Sequence, residues 1–220
     1  MESIPNLALC SGCMNWTPYL VKSLKSWLKH DVFSSIVIVD WSSDEPLVDA
    51  VREVDTERSY VLRVDGKDKF SITKVRNTAI RFSCRFNPDY IMFVDADMEF
   101  IDTLDLSMLD DESYFSGVRH STGTTIFPAC FFMQLNGYNE TINFRGSDQQ
   151  FYNELIKLGL KTKREGLIDK MRHIRHPFSS GVPSRTDDYM GPEKWCKKGI
   201  MEPQECMVYY PSGMALKEMV

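Results

Sequence analysis

At 220 residues, with 43% hydrophobic and 26% charged side chains, the chain has the size and make-up of one compact globular domain. A formal charge of −5 and a pI near 5.4 argue against a nucleic-acid scaffold, which presents a basic face. Six cysteines are too few for a disulfide scaffold of this length, and no apolar run approaches the roughly 20 residues that cross a bilayer. The start, Met1 to Asn6, lacks the basic head and apolar stretch of a signal peptide. The expectation is a soluble cytoplasmic protein, although a piece of a longer membrane-anchored or multidomain protein has the same appearance.

Leu7-Ala8-Leu9-Cys10 is a short apolar run ending in Ser11-Gly12, a buried strand and turn. Cys10 and Cys13 form a C-x-x-C, but no second pair follows at zinc-ribbon spacing, so both read as small buried hydrophobes. Thr17 and Pro18 open a helix, Thr17 as cap, whose inner face is Leu20, Val21, Leu24, Trp27 and Leu28. Ile36-Val37-Ile38-Val39 is an unbroken β-branched run, which implies burial on both faces of a parallel sheet. It ends in the polar loop Asp40-Trp41-Ser42-Ser43-Asp44. Tyr60–Val64 is a third strand, about 71–84 a helix, and Tyr90–Val94 a fourth strand ending in Asp95-Ala96-Asp97. Strand alternating with helix predicts an α/β fold with a mostly parallel central sheet flanked by helices.

Beyond Phe100 the pattern loosens. Residues 102–112 are acidic and loop-like, 114–118 a strand, 127–133 strongly apolar, and Asn136-Gly137-Tyr138-Asn139-Glu140 a turn. A helix follows from Asp148 to Leu158, closed by Gly159. From about 181 to 220, Gly, Pro, Ser, Asp and Lys dominate, and this tail is expected to be irregular.

In such sheets ligands bind outside the carboxyl ends of the strands, where Asp40 and Asp95 fall. Two carboxylates one residue apart after a buried strand need a counter-charge, and a divalent cation bridging a diphosphate supplies one. Oxygen ligands suit Mg2+ or Mn2+, and nearby imidazole favours Mn2+. The bland alternatives are specific. Asp148 can merely charge a helix N-terminus, Arg76 can be a solvated helix residue, and His173 and His176, three apart, fall on opposite faces of a regular strand. Both histidines can serve one ion only if the backbone turns between them.

The turn Asn136–Glu140, then Phe144-Arg145-Gly146-Ser147-Asp148 opening a helix, then His173-Ile174-Arg175-His176, resembles GT-A glycosyltransferases. The nearest likeness is to the β-1,4-galactosyltransferases and chondroitin-polymerase-type inverting enzymes, and it extends to Val39–Ser43, Lys74–Asn77 and Asp95–Asp97. The resemblance implies one GT-A catalytic domain over 1–220, with about 1–100 as the nucleotide-binding half and about 101–180 as the acceptor and catalytic half. It implies transfer of a sugar from a nucleotide-sugar donor, a UDP-sugar, to a glycan or other hydroxyl acceptor.

Residue by residue, the resemblance assigns Asp40, Ser42, Ser43, Arg76, Asn77 and Asp95 to the donor. It assigns Asp97 and His176 to the metal, with Asp95 and His173 as further ligand candidates, and Asp148 to the general base. His173 stands where the galactosyltransferases place a ligating methionine. Phe144, Arg145 and Ser147 occupy the acceptor-binding stretch but replace the family's tryptophan, glycine and glutamate, so the acceptor is left open. A retaining transferase, a nucleotidyltransferase or an inactive sugar-binding module on the same fold are the competing readings.

Overall fold

The computed structural model describes residues 5–117, 124–142, 146–163, 170–176 and 201–220. Four strands form the parallel centre of the main sheet: β1 (Leu7–Cys13), β2 (Phe33–Trp41), β3 (Ser59–Val64) and β4 (Tyr90–Phe93). β1 lies between β2 and β4, and β3 pairs on the far side of β2. The connecting helices are α1 (Thr17–Trp27), α2 (Val48–Arg52) and α3 (Ile72–Ser83). Trp16, not Thr17, is the N-cap residue of α1. The unbroken apolar runs have the predicted cause. Leu7, Leu9, Ile36, Ile38, Met92 and Val94 face one core, and Cys10, Val37, Val39, Ile91 and Phe93 face the other. Helix α3 lies hard against the sheet at Gly12, where a Cβ would stand 2.4 Å from Val75 Cγ1 and 2.8 Å from Val39 O.

The second half extends the sheet past β4. The antiparallel strand β7 (Thr125–Pro128) pairs with β4, β6 (Ser113–Ser116) with β7, and β8 (Lys161–Lys163) with β6. The apolar run expected after Phe127 is half strand and half helix, because α4 (Ala129–Leu135) begins right after Pro128. Helix α5 spans Ser147–Lys157. A separate two-stranded ribbon joins β5 (Met98–Phe100) to β9 (Met171–His173).

The C-terminal tail is a correction within its described part. Residues 205–219 form a hairpin, β10 (Glu205–Tyr209) and β11 (Ala215–Met219), and β10 pairs antiparallel with β3. The sheet order is therefore β11-β10-β3-β2-β1-β4-β7-β6-β8. An edge hairpin is held by backbone pairing, so it needs only a few apolar residues. Cys206 and Val208 are buried while β11 is largely exposed, and turn and charged residues hid the short strands from a reading by composition. The 181–200 part of the tail lies outside the described residues. No helix among the described residues is long and apolar enough to cross a membrane.

Candidate metal and nucleotide site

β1 to β4 run parallel, so their carboxyl ends share one edge of the sheet, the edge at which open α/β sheets bind ligands. There Asp40 is wholly buried. Its Oδ1 accepts the Ser43 N–H at 3.0 Å, and its Oδ2 accepts the Leu47 N–H at 3.0 Å and Arg63 Nη1 at 2.7 Å. Ser42 Oγ donates to Val64 O at 2.7 Å and accepts the Lys67 N–H at 2.9 Å, while Ser43 Oγ accepts the Asn15 N–H at 3.0 Å. These three side chains thus tie together the loops after β1, β2 and β3. Trp41, 1% exposed, packs in the core with its indole N–H on Lys69 O.

Asp95-Ala96-Asp97 follows β4 as a tight turn closed by the Met98 N–H on Asp95 O at 3.1 Å. β5 is then fixed against α1. Trp27 Nε1 donates to Met98 O at 2.8 Å, and the Phe100 N–H donates to Ser26 Oγ at 3.0 Å. The ribbon sets Met98 opposite His173, and the Ile174 N–H reaches Asp97 O at 2.7 Å. Backbone pairing therefore carries the histidine segment to Asp97 across a chain separation of more than seventy residues. β9 ends at His173, so the following residues are free of strand alternation and His176 comes round to the same side.

Both imidazoles reach one oxygen: Asp97 Oδ2 lies 2.9 Å from His173 Nε2 and 3.0 Å from His176 Nε2. Potential ligand atoms of the three residues lie within 4.8 Å of one another. Ligands about 2.1 Å from a shared six-coordinate ion stand roughly 3 Å apart at adjacent positions, so the donor spacing fits one cation. The His176 ring rests edge-on against Trp16 at 4.2 Å and near Tyr19 at 5.3 Å, two contacts that sequence reasoning missed. Asp95 does not join this triad; it faces Arg76 Nη2 at 3.7 Å.

Arg76 is 2% exposed and central. Its Nη1 is paired with Asp148 Oδ1, in the first turn of α5, and its Nη2 faces Asp95. Burial works against the guanidinium's charge, but Asp148 and Asp95 more than offset this and hold it charged. Burial also pushes the Asp95 carboxyl up to about 6; Arg76 opposes this, and Asp97 and Asp148 add to it. Arg76 is thus no solvated helix residue, and Asp148 does more than charge a helix end. Ser147 is buried at the start of α5, while Phe144 and Arg145 lie outside the described residues.

Asn77 grips the Gly137–Glu140 turn, with Nδ2 on Tyr138 O at 2.9 Å and on Glu140 Oε1 at 2.8 Å. The C-x-x-C is inert: Cys10 and Cys13 are free and buried, and burial pushes the Cys13 thiol up to about 12.

No protein-family model matches the chain, and no curated protein matches it. Solved structures do. The mannosyltransferase PcManGT from Pyrobaculum calidifontis, in complex with GDP-Man and Mn2+, superposes with a TM-score of 0.62 at 12% identity, over 76% of this chain and 56% of its own. This chain therefore spans a little over half of that enzyme's length. A variant of the Drosophila β-1,4-galactosyltransferase 7, in complex with manganese, UDP-Gal and xylobiose, superposes with a TM-score of 0.63 at 13% identity, over 98% of this chain and 93% of its own. Both are GT-A glycosyltransferases, and the likeness shows that this chain has the GT-A fold.

Proposed function

We propose that this chain is a metal-dependent glycosyltransferase that moves a sugar from a UDP-sugar to a hydroxyl acceptor with inversion. The observation that supports it is the meeting of Asp97, His173 and His176 just after the carboxyl end of β4, on a fold whose solved examples named above hold manganese and a nucleotide sugar. Two imidazoles among three donors favour Mn2+ over Mg2+. When bound, the ion supplies Lewis-acid stabilisation of the departing diphosphate.

The remaining roles belong to the chain. Asp40, buried with both oxygens engaged, acts through the Ser42–Ser43 loop that would border the base and ribose. Arg76 holds Asp148 and Asp95 at fixed positions beside the diphosphate. The Asp148 side chain is 30% exposed, so one face stays open to an incoming hydroxyl. Its carboxylate takes the acceptor proton as the acceptor oxygen bonds to the anomeric carbon. The bond from that carbon to the diphosphate breaks, and the electron pair leaves with the nucleoside diphosphate. Such base assistance contributes about 10²- to 10⁴-fold.

The test is a panel of nucleotide sugars screened with manganese for thermal stabilisation, since a ligand of the folded form alone raises the melting temperature. A UDP-sugar is expected to stabilise the wild type only with the metal present, and Asp97→Ala is expected to lose that response. A chain that melts alike with every donor, with and without manganese, sinks the proposal.

A further inference from the structure

The Arg76 guanidinium is paired with carboxylates and lies over two aromatic rings. Its Cζ lies 4.7 Å from the centroid of Phe93 in β4 and 5.2 Å from that of Tyr138. Tyr138 is itself fully buried and stacks on Phe151 of α5 at 4.1 Å and 18°. One continuous packing path therefore runs from β4 through Arg76 and Tyr138 to the helix that carries Asp148. We propose that Tyr138 is a positioning residue for the Arg76–Asp148 pair, with Asn77 as the clamp that sets its ring. The inference rests on the function proposed above and deepens it.

Three features make Tyr138 more than core filling. First, a buried guanidinium is tolerated only where its charge is matched and its faces lie on groups that do not compete for its protons. An aromatic ring does this and adds a cation–π attraction. Second, the turn is gripped through its backbone. The Asn77 carboxamide accepts the Tyr138 N–H at 2.7 Å and donates to Tyr138 O at 2.9 Å and to Glu140 Oε1 at 2.8 Å. Asn77 adjoins Arg76 in α3, so the residue that places the ring and the residue the ring holds share one helical turn. Third, the approach is so close that Gly137, at φ +73°, has no room for a Cβ beside Asn77. The ring is thus registered to Arg76 by a rigid backbone bridge.

Without the ring, Arg76 gains freedom about its terminal bonds and Asp148 loses a fixed counter-charge. Donor affinity changes little, because the metal triad and the base loop are untouched, but the base is no longer aligned. Misplacement by about 1 Å costs on the order of 10²-fold in rate.

The experiment compares Tyr138→Phe, Tyr138→Leu and Asn77→Ser in the full chain, with manganese affinity as the control for an intact fold. The Arg76 side-chain Nη signals are followed by NMR, and kcat and donor KM are measured. In the wild type and Tyr138→Phe, the Arg76 signals are expected to be slowly exchanging and ring-shifted, with kcat within about 3-fold. In Tyr138→Leu and Asn77→Ser they are expected to broaden and average. kcat should fall between about 10- and 100-fold, with donor KM within about 2-fold. If Tyr138→Leu does not fold, Asn77→Ser carries the same expectation, because it keeps the tyrosine but removes the carboxamide that fixes its position. A folded, manganese-binding Tyr138→Leu that keeps both the Arg76 signals and kcat overturns the inference. If the wild type turns over no donor, the glycosyltransferase reading falls, and the Arg76 signals decide the positioning role by themselves.

Discussion

Replacing Gly137 by alanine tests how tightly the turn is bound to α3. The residue sits at φ +73°, and an added Cβ would lie 2.6 Å from Asn77 Oδ1, 3.1 Å from Asn77 Cγ and 3.2 Å from Met201 Sδ. Methionine can yield cheaply, since its sulfur ends a flexible arm. Asn77 cannot, because its carboxamide makes three buried hydrogen bonds to this turn. The left-handed backbone alone costs an L-residue about 1–2 kcal/mol. Straining or losing two to three of those bonds adds about 1 kcal/mol each. The total, roughly 3–5 kcal/mol, corresponds to a fall in melting temperature on the order of 10 °C for a domain of this size. Gly66 and Gly213 serve as matched controls, with φ +72° and +89° and nothing within 4 Å of an added Cβ. Alanine at either should cost only the backbone term, about 2–8 °C. The measurement is a thermal melt of the three variants beside the wild type. If Gly137→Ala melts no lower than Gly66→Ala, the clamp is loose, and the packing path through Tyr138 loses its foundation.

Asp148→Asn keeps the shape of the side chain, so donor stabilisation with manganese should persist while transfer falls about 10²- to 10⁴-fold; a near wild-type transfer rate removes Asp148 from the base role. Burial raises the thiols of Cys10, Cys13 and Cys206, the latter two to about 12. A raised thiol stays protonated below its pKa, so at pH 8 these three should resist Ellman's reagent in the native protein and react on unfolding. The exposed Cys130 should react at once. Rapid native labelling of Cys13 would contradict the burial.

Much of this arrangement is written in local pattern. The apolar run of β2 announced a strand buried on both faces, and two core clusters now lie on either side of it. The Asp95–Asp97 pair fell at a strand's carboxyl end because strand length and hydropathy decide where a buried run meets solvent. Other features depended on contacts between distant segments. Strand alternation set His173 and His176 on opposite faces, but β9 stops at His173, and ribbon pairing with β5 brings both to Asp97. Asp40 and Asn77 carry the residue types of ligand contacts, yet their polar atoms engage the protein's own loops. A polar side chain's type says what it can bond to, and only its neighbours decide which bond it makes. The C-terminal hairpin likewise gains its place from backbone pairing with β3, which leaves little trace in side-chain chemistry. Local pattern sufficed for the α/β order, the two-faced core and the acidic pair at the sheet's edge, because periodicity and burial are properties of a single strand or helix. The convergence of both histidines on Asp97 and the choice of ring beside Arg76 came from packing, because those contacts join residues tens of positions apart through the registers of separate elements.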